Sequence, residues 1–305
     1  MHHLSGEGRY YAFALVTVLL WSTSASIVKS LTRGLPSPLV LLYSALFATL
    51  FLLVLLLLRG QAGRMRQYGP RQYGILALLG LLGMFLYSSL YYFGIHRLSA
   101  QEACILNYLW PVMIVLFSSL LLREPLTGRK AAAIILSFSG VLVIALGELS
   151  HGSGALFADA PGIAACVMAA VCYGLFSVLN KRLGLDQTVG MLVFWGVTAL
   201  CALVHCLLLG ELTLPAPAQL GGLVWVGVAV DGLPYLLWAV ALSGAENTAR
   251  IANLAYLTPI LSVLLSAAAL GETLAPAYLI ALALILGGIL IQLTGRRPTA
   301  VPSPQ

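Results

Sequence analysis

The chain has 305 residues, of which 60% are hydrophobic and only 9% are charged. This composition excludes an ordinary soluble globular domain and indicates a membrane protein. The net charge of +6 is attributed to membrane topology, and no nucleic-acid partner is predicted. Long apolar runs such as residues 41–58 lack the alternating polarity of barrel strands, so the fold is predicted to be an all-α polytopic membrane protein.

Hydropathy and chain breaks predict ten transmembrane helices joined by short links that contain glycine, proline or charge. The tail RRPTAVPSPQ is polar and rich in proline, and it is predicted to be a short disordered segment. The ten predicted spans cover approximately residues 10–31, 37–58, 73–94, 100–122, 130–147, 160–181, 188–209, 219–242, 247–270 and 275–294.

The distribution of Lys and Arg predicts the orientation, because basic residues are retained on the cytoplasmic side. With both termini in the cytoplasm, 13 of the 16 Lys and Arg residues fall in cytoplasmic segments. Only Lys29, Arg33 and Arg97 then face the other side. An even number of spans with cytoplasmic N and C termini is therefore the predicted topology.

The two halves of the chain resemble each other at a nearly constant offset. We therefore predict two five-helix repeats, residues 1–150 and 151–305. Because five is odd, the second repeat enters the membrane inverted, as in many secondary transporters. The matched positions are Tyr108 with Tyr256, Leu109 with Leu257, Pro111 with Pro259, Glu124 with Glu272, Gly140 with Gly288, Trp21 with Tyr173, and Lys29 with Lys181.

Two prolines fall near the centres of predicted spans. Pro111 ends the motif NYLWP in the fourth span, and Pro259 occupies the matching place in the ninth. Each removes one backbone hydrogen bond and is expected to kink its helix. Paired kinks at midplane depth predict the wall of a solute cavity or a hinge.

Aromatic residues extend this hypothesis. Tyr and Trp are expected at the membrane interfaces, but several here lie deeper in their spans. Tyr87 and Tyr91 are four residues apart, so both rings lie on one helical face. The pattern predicts a cavity for a largely apolar, aromatic solute, with Asn107 and Asn253 binding its polar ends. The deep aromatic residues are Trp21, Tyr87, Tyr91, Tyr108, Trp110, Tyr173, Tyr235, Trp238 and Tyr256.

The stretch EACILNYLWP, together with LLWSTSA in the first span and LTP followed by LGE in the ninth, resembles the YddG-type aromatic amino-acid exporters. These belong to the EamA group of the drug/metabolite transporter (DMT) superfamily. The resemblance covers residues 10–295 and implies two inverted five-helix repeats, a bacterial inner-membrane location and export of aromatic amino acids and related metabolites. It also implies cavity roles for Trp21, Asn107, Tyr108, Trp110 and Pro111.

The rest of the predicted site follows from depth in the spans alone. It comprises Tyr87, Tyr91, Tyr173, Trp238, Asn253, Tyr256 and Pro259. With the residues implied by the resemblance, these are predicted to surround the solute while the two repeats rock about it by alternating access.

Ionisable groups inside the spans are few and costly to bury. Asp231, in the middle of the eighth span, has three alternative roles: binding a substrate ammonium group, carrying a coupling proton, or pairing with a polar neighbour. The resembled exporters have an apolar residue there, so the resemblance implies no coupling role. Glu102 is expected to be a polar anchor across helices or a helix N-terminal charge. Lys29 and Lys181 are predicted to snorkel towards the interfaces.

No catalytic or cofactor signature is present. The sequence lacks HExxH, GxSxG and P-loop motifs, and its five cysteines form no CxxC. We therefore predict no enzymatic activity, no cofactor and no metal site, and secondary rather than ATP-driven transport. The predicted partners are a small-molecule substrate and the lipid bilayer, with no obligate protein partner.

Alternatives remain at this stage. A transporter of another solute class, such as a sugar phosphate, a nucleotide sugar or a drug-like compound, has the same general sequence pattern. Phosphorylated solutes require deep Lys or Arg residues, whereas those here lie at span edges. A channel, or a membrane-embedded protein without transport activity, is a further alternative.

Overall fold

In a computed structural model of the protein, the described residues are 7–123, 125–150, 159–183, 187–244, 251 and 254–293. Within these ranges the chain is helical and contains no strand, which confirms the all-α prediction. The helices in chain order are α1 (Gly8–Thr32), α2 (Ser37–Leu58), α3 (Pro70–Arg97), α4 (Ala100–Leu121), α5 (Gly128–Ser150), α6 (Ala160–Leu183), α7 (Gln187–Leu209), α8 (Pro217–Leu242), α9 (Leu254–Leu270) and α10 (Pro276–Leu293).

Most of these helices can cross a bilayer by length and composition. Seven of them, α1–α4 and α6–α8, are long and apolar enough, and α9 and α10 are shorter apolar helices. Large apolar side chains such as Leu78, Ile135 and Leu208 point outward and are more than half exposed, as expected of a surface that faces lipid. The ten-span count and the cytoplasmic position of both termini stay predictions.

The helix starts reveal the internal repetition. Both α3 and α8 begin with a proline, at Pro70 and Pro217, where the missing N–H is not needed. In each case a glutamine two residues later folds back: Gln72 Oε1 accepts from the Gly69 amide at 2.9 Å, and Gln219 Oε1 accepts from the Ala216 amide at 2.8 Å. These caps extend both helices beyond their predicted starts.

Interruptions of the helices are also repeated. Wide π-helical turns occur in α3 at Leu81–Leu86 and in α8 at Trp225–Gly232. Helix α4 breaks after Asn107 and resumes at Trp110, and α9 begins with a 3-10 turn at Leu254–Tyr256. In both places the proline follows closely on the start of an α-helical segment, Pro111 after Trp110 and Pro259 after Leu257 and Thr258.

Helix packing follows the same symmetry. Helix α5 packs on its counterpart α10, and α2 packs on its counterpart α7. The contacts of α6 with α3 and α4 are repeated by those of α1 with α8 and α9. Lys29 near the end of α1 and Asp159 at the start of α6 both contact the end of α3. Helix α6 therefore runs opposite to α1, and the repeats are inverted.

The contact between α5 and α10 depends on matched glycines. A Cβ atom at Gly140 would lie 2.8 Å from the Ala281 carbonyl oxygen, and one at Gly288 would lie 2.6 Å from the Ala133 carbonyl oxygen. Small residues that permit such close approach are typical of helix contacts in membranes. The two positions are equivalent in the two repeats, so this interface joins them symmetrically.

Replacing Gly288 with alanine is expected to destabilise the protein by about 1–3 kcal/mol, because the new methyl group overlaps backbone that cannot move away. Thermal unfolding in detergent micelles measures the effect. Gly287→Ala is the matched control, since its Cβ would meet only the Leu136 side chain at 3.6 Å. Equal unfolding midpoints for the two variants would contradict the proposed interface.

Candidate substrate cavity

A cavity of about 560 Å³ lies between the repeats. Side chains of α1, α3, α4, α6, α7, α8 and α9 line it. Its volume is within the range of about 300–1,000 Å³ that small-molecule sites occupy. Both repeats contribute to the wall, as expected of a solute site where inverted repeats meet.

Most of the predicted site residues lie on this wall. Those that the structure brings together here are Trp21, Tyr87, Tyr91, Asn107, Tyr108, Trp110, Tyr173, Trp238 and Asp231. They come from five different helices, so their convergence depends on the packing of the bundle and not on local sequence.

Other predicted residues are not on the wall. Pro111 and Pro259 are buried near the starts of the helical segments that follow the two interruptions, where a proline needs no amide partner. Tyr256 lies in the 3-10 turn of α9 and packs against the core beside the cavity. Glu102 is buried at the start of α4. Asn253 lies outside the described residues.

The motif NYLWP connects the two interruptions. The Tyr108 hydroxyl donates a hydrogen bond to the Ala255 carbonyl at 3.0 Å, inside the 3-10 turn of α9. The Asn107 amide nitrogen donates to the Tyr87 hydroxyl at 3.1 Å. Trp110, the first residue after the break, faces the cavity. Neighbouring helices thus bind the polar side chains of Asn107 and Tyr108 beside the interruption of α4.

Aromatic pairs occur symmetrically in the two repeats. The Tyr87 and Tyr173 rings lie 5.0 Å apart between centroids, and the rings of their counterparts, Tyr235 and Trp21, lie 5.5 Å apart. Tyr87 follows the π-helical turn of α3 directly, and Tyr235 follows that of α8 after Leu233 and Pro234. Equivalent rings of α3 and α8 thus contact α6 and α1 respectively.

Further ring contacts complete the wall. Trp110 meets the Tyr173 ring edge to face at 5.4 Å, and Trp238 meets Trp21 at 5.5 Å. The Tyr91 and Tyr87 rings stack at 5.9 Å, which confirms that both lie on one face of α3. An apolar ring that enters the cavity would meet several ring faces and edges at once.

The cavity opens at one end of the bundle. Exposed residues among its lining, Lys181 and Gln187, lie at the end of α6 and the start of α7. Asn180 bridges the two helices there, since its Nδ2 donates to Gln187 Oε1 at 3.1 Å. This mouth is at the end of the bundle where α1 begins, which the predicted topology places in the cytoplasm.

The opposite end is closed by backbone contacts of Lys29. Its Nζ donates to the carbonyl oxygens of Ile95 at 2.8 Å, His96 at 3.0 Å and Leu98 at 2.5 Å, all at the end of α3. The ammonium group of Lys29 therefore lies at the end of the bundle and binds carbonyl groups that have no partner within their own helix. Its counterpart, Lys181, lies at the mouth instead.

Glu272, from the second repeat, binds the start of α4 at the same end of the bundle. Its carboxylate accepts hydrogen bonds from the Ala100 amide at 2.8 Å and the Gln101 amide at 3.2 Å, at the start of α4. Glu102 caps its own helix, accepting from the Ser99 amide at 2.9 Å, so it is a helix N-terminal charge and not an anchor across helices. Together these contacts seal α4 against the loop between α9 and α10.

Several cavity residues were not predicted. Trp195 lines the wall from α7, and its depth in an apolar span was the signal that could have indicated it. Its buried Nε1, the Asn107 Oδ1 and the Asp231 Oδ2 have no hydrogen-bond partner within the described part of the chain. Other unpredicted lining residues, which carry no distinctive sequence signal, include Met84, Tyr92, Phe176, Met191, Thr258 and Ser262.

The fold and the cavity together indicate which class of protein this chain belongs to. A bundle of apolar helices built as two inverted repeats, with a solute-sized cavity open at one end and sealed at the other, is the architecture of a membrane transporter. The sequence profile of the EamA-like transporter family matches the chain twice, at residues 8–146 and 160–294. The chain belongs to this family, which is part of the DMT superfamily.

Individual relatives agree with this assignment. The chain is 30% identical to the aromatic amino acid exporter YddG of Ancylobacter novellus, over 68% of this chain and 72% of that protein. It is 25% identical to an uncharacterized transporter of Clostridium kluyveri, over 94% of each chain. A solved crystal structure superposes with a TM-score of 0.69 at 26% identity, covering 96% of this chain and 99% of that chain.

Proposed function

We propose that this transporter exports aromatic amino acids and related small metabolites across a bacterial inner membrane. The observation that carries the proposal is the aromatic wall, to which α1 and α8 contribute Trp21, Tyr235 and Trp238, and α3, α4 and α6 contribute Tyr87, Trp110 and Tyr173. The similarity to the Ancylobacter novellus exporter supports the same substrate class.

The chemistry of the wall suits such a solute. Each favourable ring pair contributes about 0.5–1.5 kcal/mol beyond burial, so several together hold an aromatic side chain while still permitting release. The Asn107 Oδ1 and Trp195 Nε1 atoms offer one acceptor and one donor for the polar groups of the solute. Phosphorylated solutes fit less well, because Lys181 at the mouth is the only basic side chain among the described lining residues.

The symmetry of the repeats supports alternating access. At the closed end Lys29 binds the carbonyl groups of α3, whereas its counterpart Lys181 lies at the open mouth. We propose that the two ends exchange these states, so that each lysine closes its own side in turn. The π-helical turns in α3 and α8 and the interruptions in α4 and α9 supply the points of bending. With the predicted topology, the present mouth receives solute from the cytoplasm.

Counterflow in liposomes tests the proposal. Vesicles that contain the purified protein are loaded with unlabelled phenylalanine or tryptophan and are then exposed to a trace of the labelled amino acid outside. We expect transient accumulation above protein-free vesicles, because a carrier couples the outward gradient of unlabelled solute to the uphill entry of the labelled solute, which a channel does not do. Vesicles loaded with alanine are the specificity control.

Two outcomes would contradict the proposal. Accumulation that is equal for alanine and phenylalanine would remove the aromatic specificity. An absence of any counterflow, with correct insertion verified by protease accessibility, would reject the aromatic substrate class and favour another solute.

A further inference from the structure

Asp231 is the only acidic side chain among the described residues that line the cavity. It is 8% exposed, and its Oδ2 atom has no hydrogen-bond partner within the described part of the chain. A carboxyl group at this depth costs about 2.5–3.5 kcal/mol on insertion scales. An unpaired carboxyl oxygen in an otherwise aromatic wall is therefore expected to have a ligand.

Asp231 lies where α8 packs closely on α2 and also borders the cavity. Cβ atoms at Gly227 and Gly232 would lie 2.4 Å from the Ser44 carbonyl oxygen and 2.7 Å from the Phe51 ring, so these glycines permit the close approach of α8 to α2. Tyr235 and Trp238 follow Asp231 at helical spacing, and all three side chains line the cavity.

The surroundings of Asp231 match the chemistry of an organic ammonium group. A carboxylate supplies the opposite charge, and the faces of tyrosine and tryptophan rings attract cations. Tyr87, Tyr92 and Tyr235 line the same cavity as Asp231, and their phenol groups bring no positive charge to it. Lys181 is the basic residue among the described lining, and it lies at the exposed mouth.

We infer that Asp231 binds the ammonium group of the transported solute, so that the cavity selects aromatic amines and amino acids over aromatic acids that lack an amino group. This inference rests on the proposed function and makes its substrate class specific. It assigns one of the three roles that the sequence leaves open for Asp231. Pairing with a polar neighbour is not observed for Oδ2, and coupling to protons makes a different prediction in exchange experiments.

Counterflow with three solutes tests the inference. Phenylalanine carries both charged groups, phenethylamine only the ammonium group, and phenylpropionate only the carboxylate. In the unmodified protein we expect phenylalanine and phenethylamine to exchange about tenfold or more faster than phenylpropionate. Asp231→Asn should lower exchange of the two amines by about tenfold or more and leave that of phenylpropionate unchanged or raised, because a charged hydrogen bond is lost.

Variants and outcomes separate the alternatives. Asp231→Glu keeps the carboxylate and should retain the preference for amines, and Asp159→Asn, which changes an aspartate outside the cavity, should leave the solute ratio unchanged. The ratio of the exchange rates of two solutes, measured on the same variant, does not depend on how much of that variant folds. If Asp231 only carries a coupling proton or only supports the fold, Asp231→Asn should change the exchange rates of all three solutes equally or change none of them. That result would overturn this inference and leave the proposed function standing. If the unmodified protein exchanges no aromatic solute, the proposed function itself fails.

Discussion

Replacing Trp110 with alanine is expected to lower phenylalanine counterflow by about tenfold or more without unfolding the protein. The Trp110 ring is half-buried, lines the cavity and meets the Tyr173 ring edge to face at 5.4 Å. The alanine variant loses the apolar contact between the indole ring and the solute, and it also loses the Trp110–Tyr173 ring pair. Together these losses weaken binding by more than about 1.4 kcal/mol. The concentration dependence of counterflow should show the change as weaker apparent affinity.

Trp225→Ala is the matched control for this result. Trp225 lies on α8, is 41% exposed and does not line the cavity, and its Nε1 donates a hydrogen bond to Thr23 Oγ1 at 2.9 Å. We expect its replacement to change counterflow by less than about twofold. Trp110→Phe, which keeps an aromatic ring, should fall between the two. Unchanged counterflow of Trp110→Ala at equal protein abundance would remove Trp110 from the site.

Replacing Glu272 with alanine is expected to open the closed end of the cavity. The variant loses two hydrogen bonds from a carboxylate to the Ala100 and Gln101 amides, each of which contributes about 1.5–3 kcal/mol. The population with an open outer end should rise by about tenfold or more. Transport should fall, because the two ends no longer close in turn.

Cys104 is a natural reporter for this change, since it lines the cavity. With the other four cysteines replaced by serine, a membrane-impermeant thiol reagent should modify Cys104 from the mouth side only. Glu272→Ala should add modification from the opposite side, measured in vesicles of both orientations. Glu211→Ala removes another glutamate beyond the end of α7, at the same end of the bundle, and should have no such effect. Modification of Cys104 from the mouth alone in Glu272→Ala would contradict the sealing role.

Depth and periodicity were sufficient to predict much of the cavity wall. The four-residue spacing of Tyr87 and Tyr91 fixes both rings on one face of α3, and their stacking at 5.9 Å follows from local helix geometry. Trp21 and Tyr173 occupy equivalent positions of the repeats, and both line the cavity. These features depend on helical period and span length, which the sequence carries directly.

Distant contacts could not be predicted in the same way. Lys29 binds carbonyl groups 66 to 69 residues away, and Glu272 binds amides 171 and 172 residues away. The sequence shows that both groups lie near span ends, but the choice between water and a neighbouring helix end depends on which helices meet. For the same reason Pro111 and Pro259 were placed on the wall, although they set the interruptions that bring other residues to it.

The sequence alone determined the membrane class, the helical fold and the two-fold repetition. Each follows from apolar composition, from the need to pair backbone groups within a helix in lipid, and from matched motifs at a constant offset. The tertiary structure decided which end of the cavity is sealed, which rings face each other and which carboxyl oxygen has no partner. Those properties depend on contacts between helices that are distant in the chain, and only the packed bundle brings such groups within hydrogen-bonding distance.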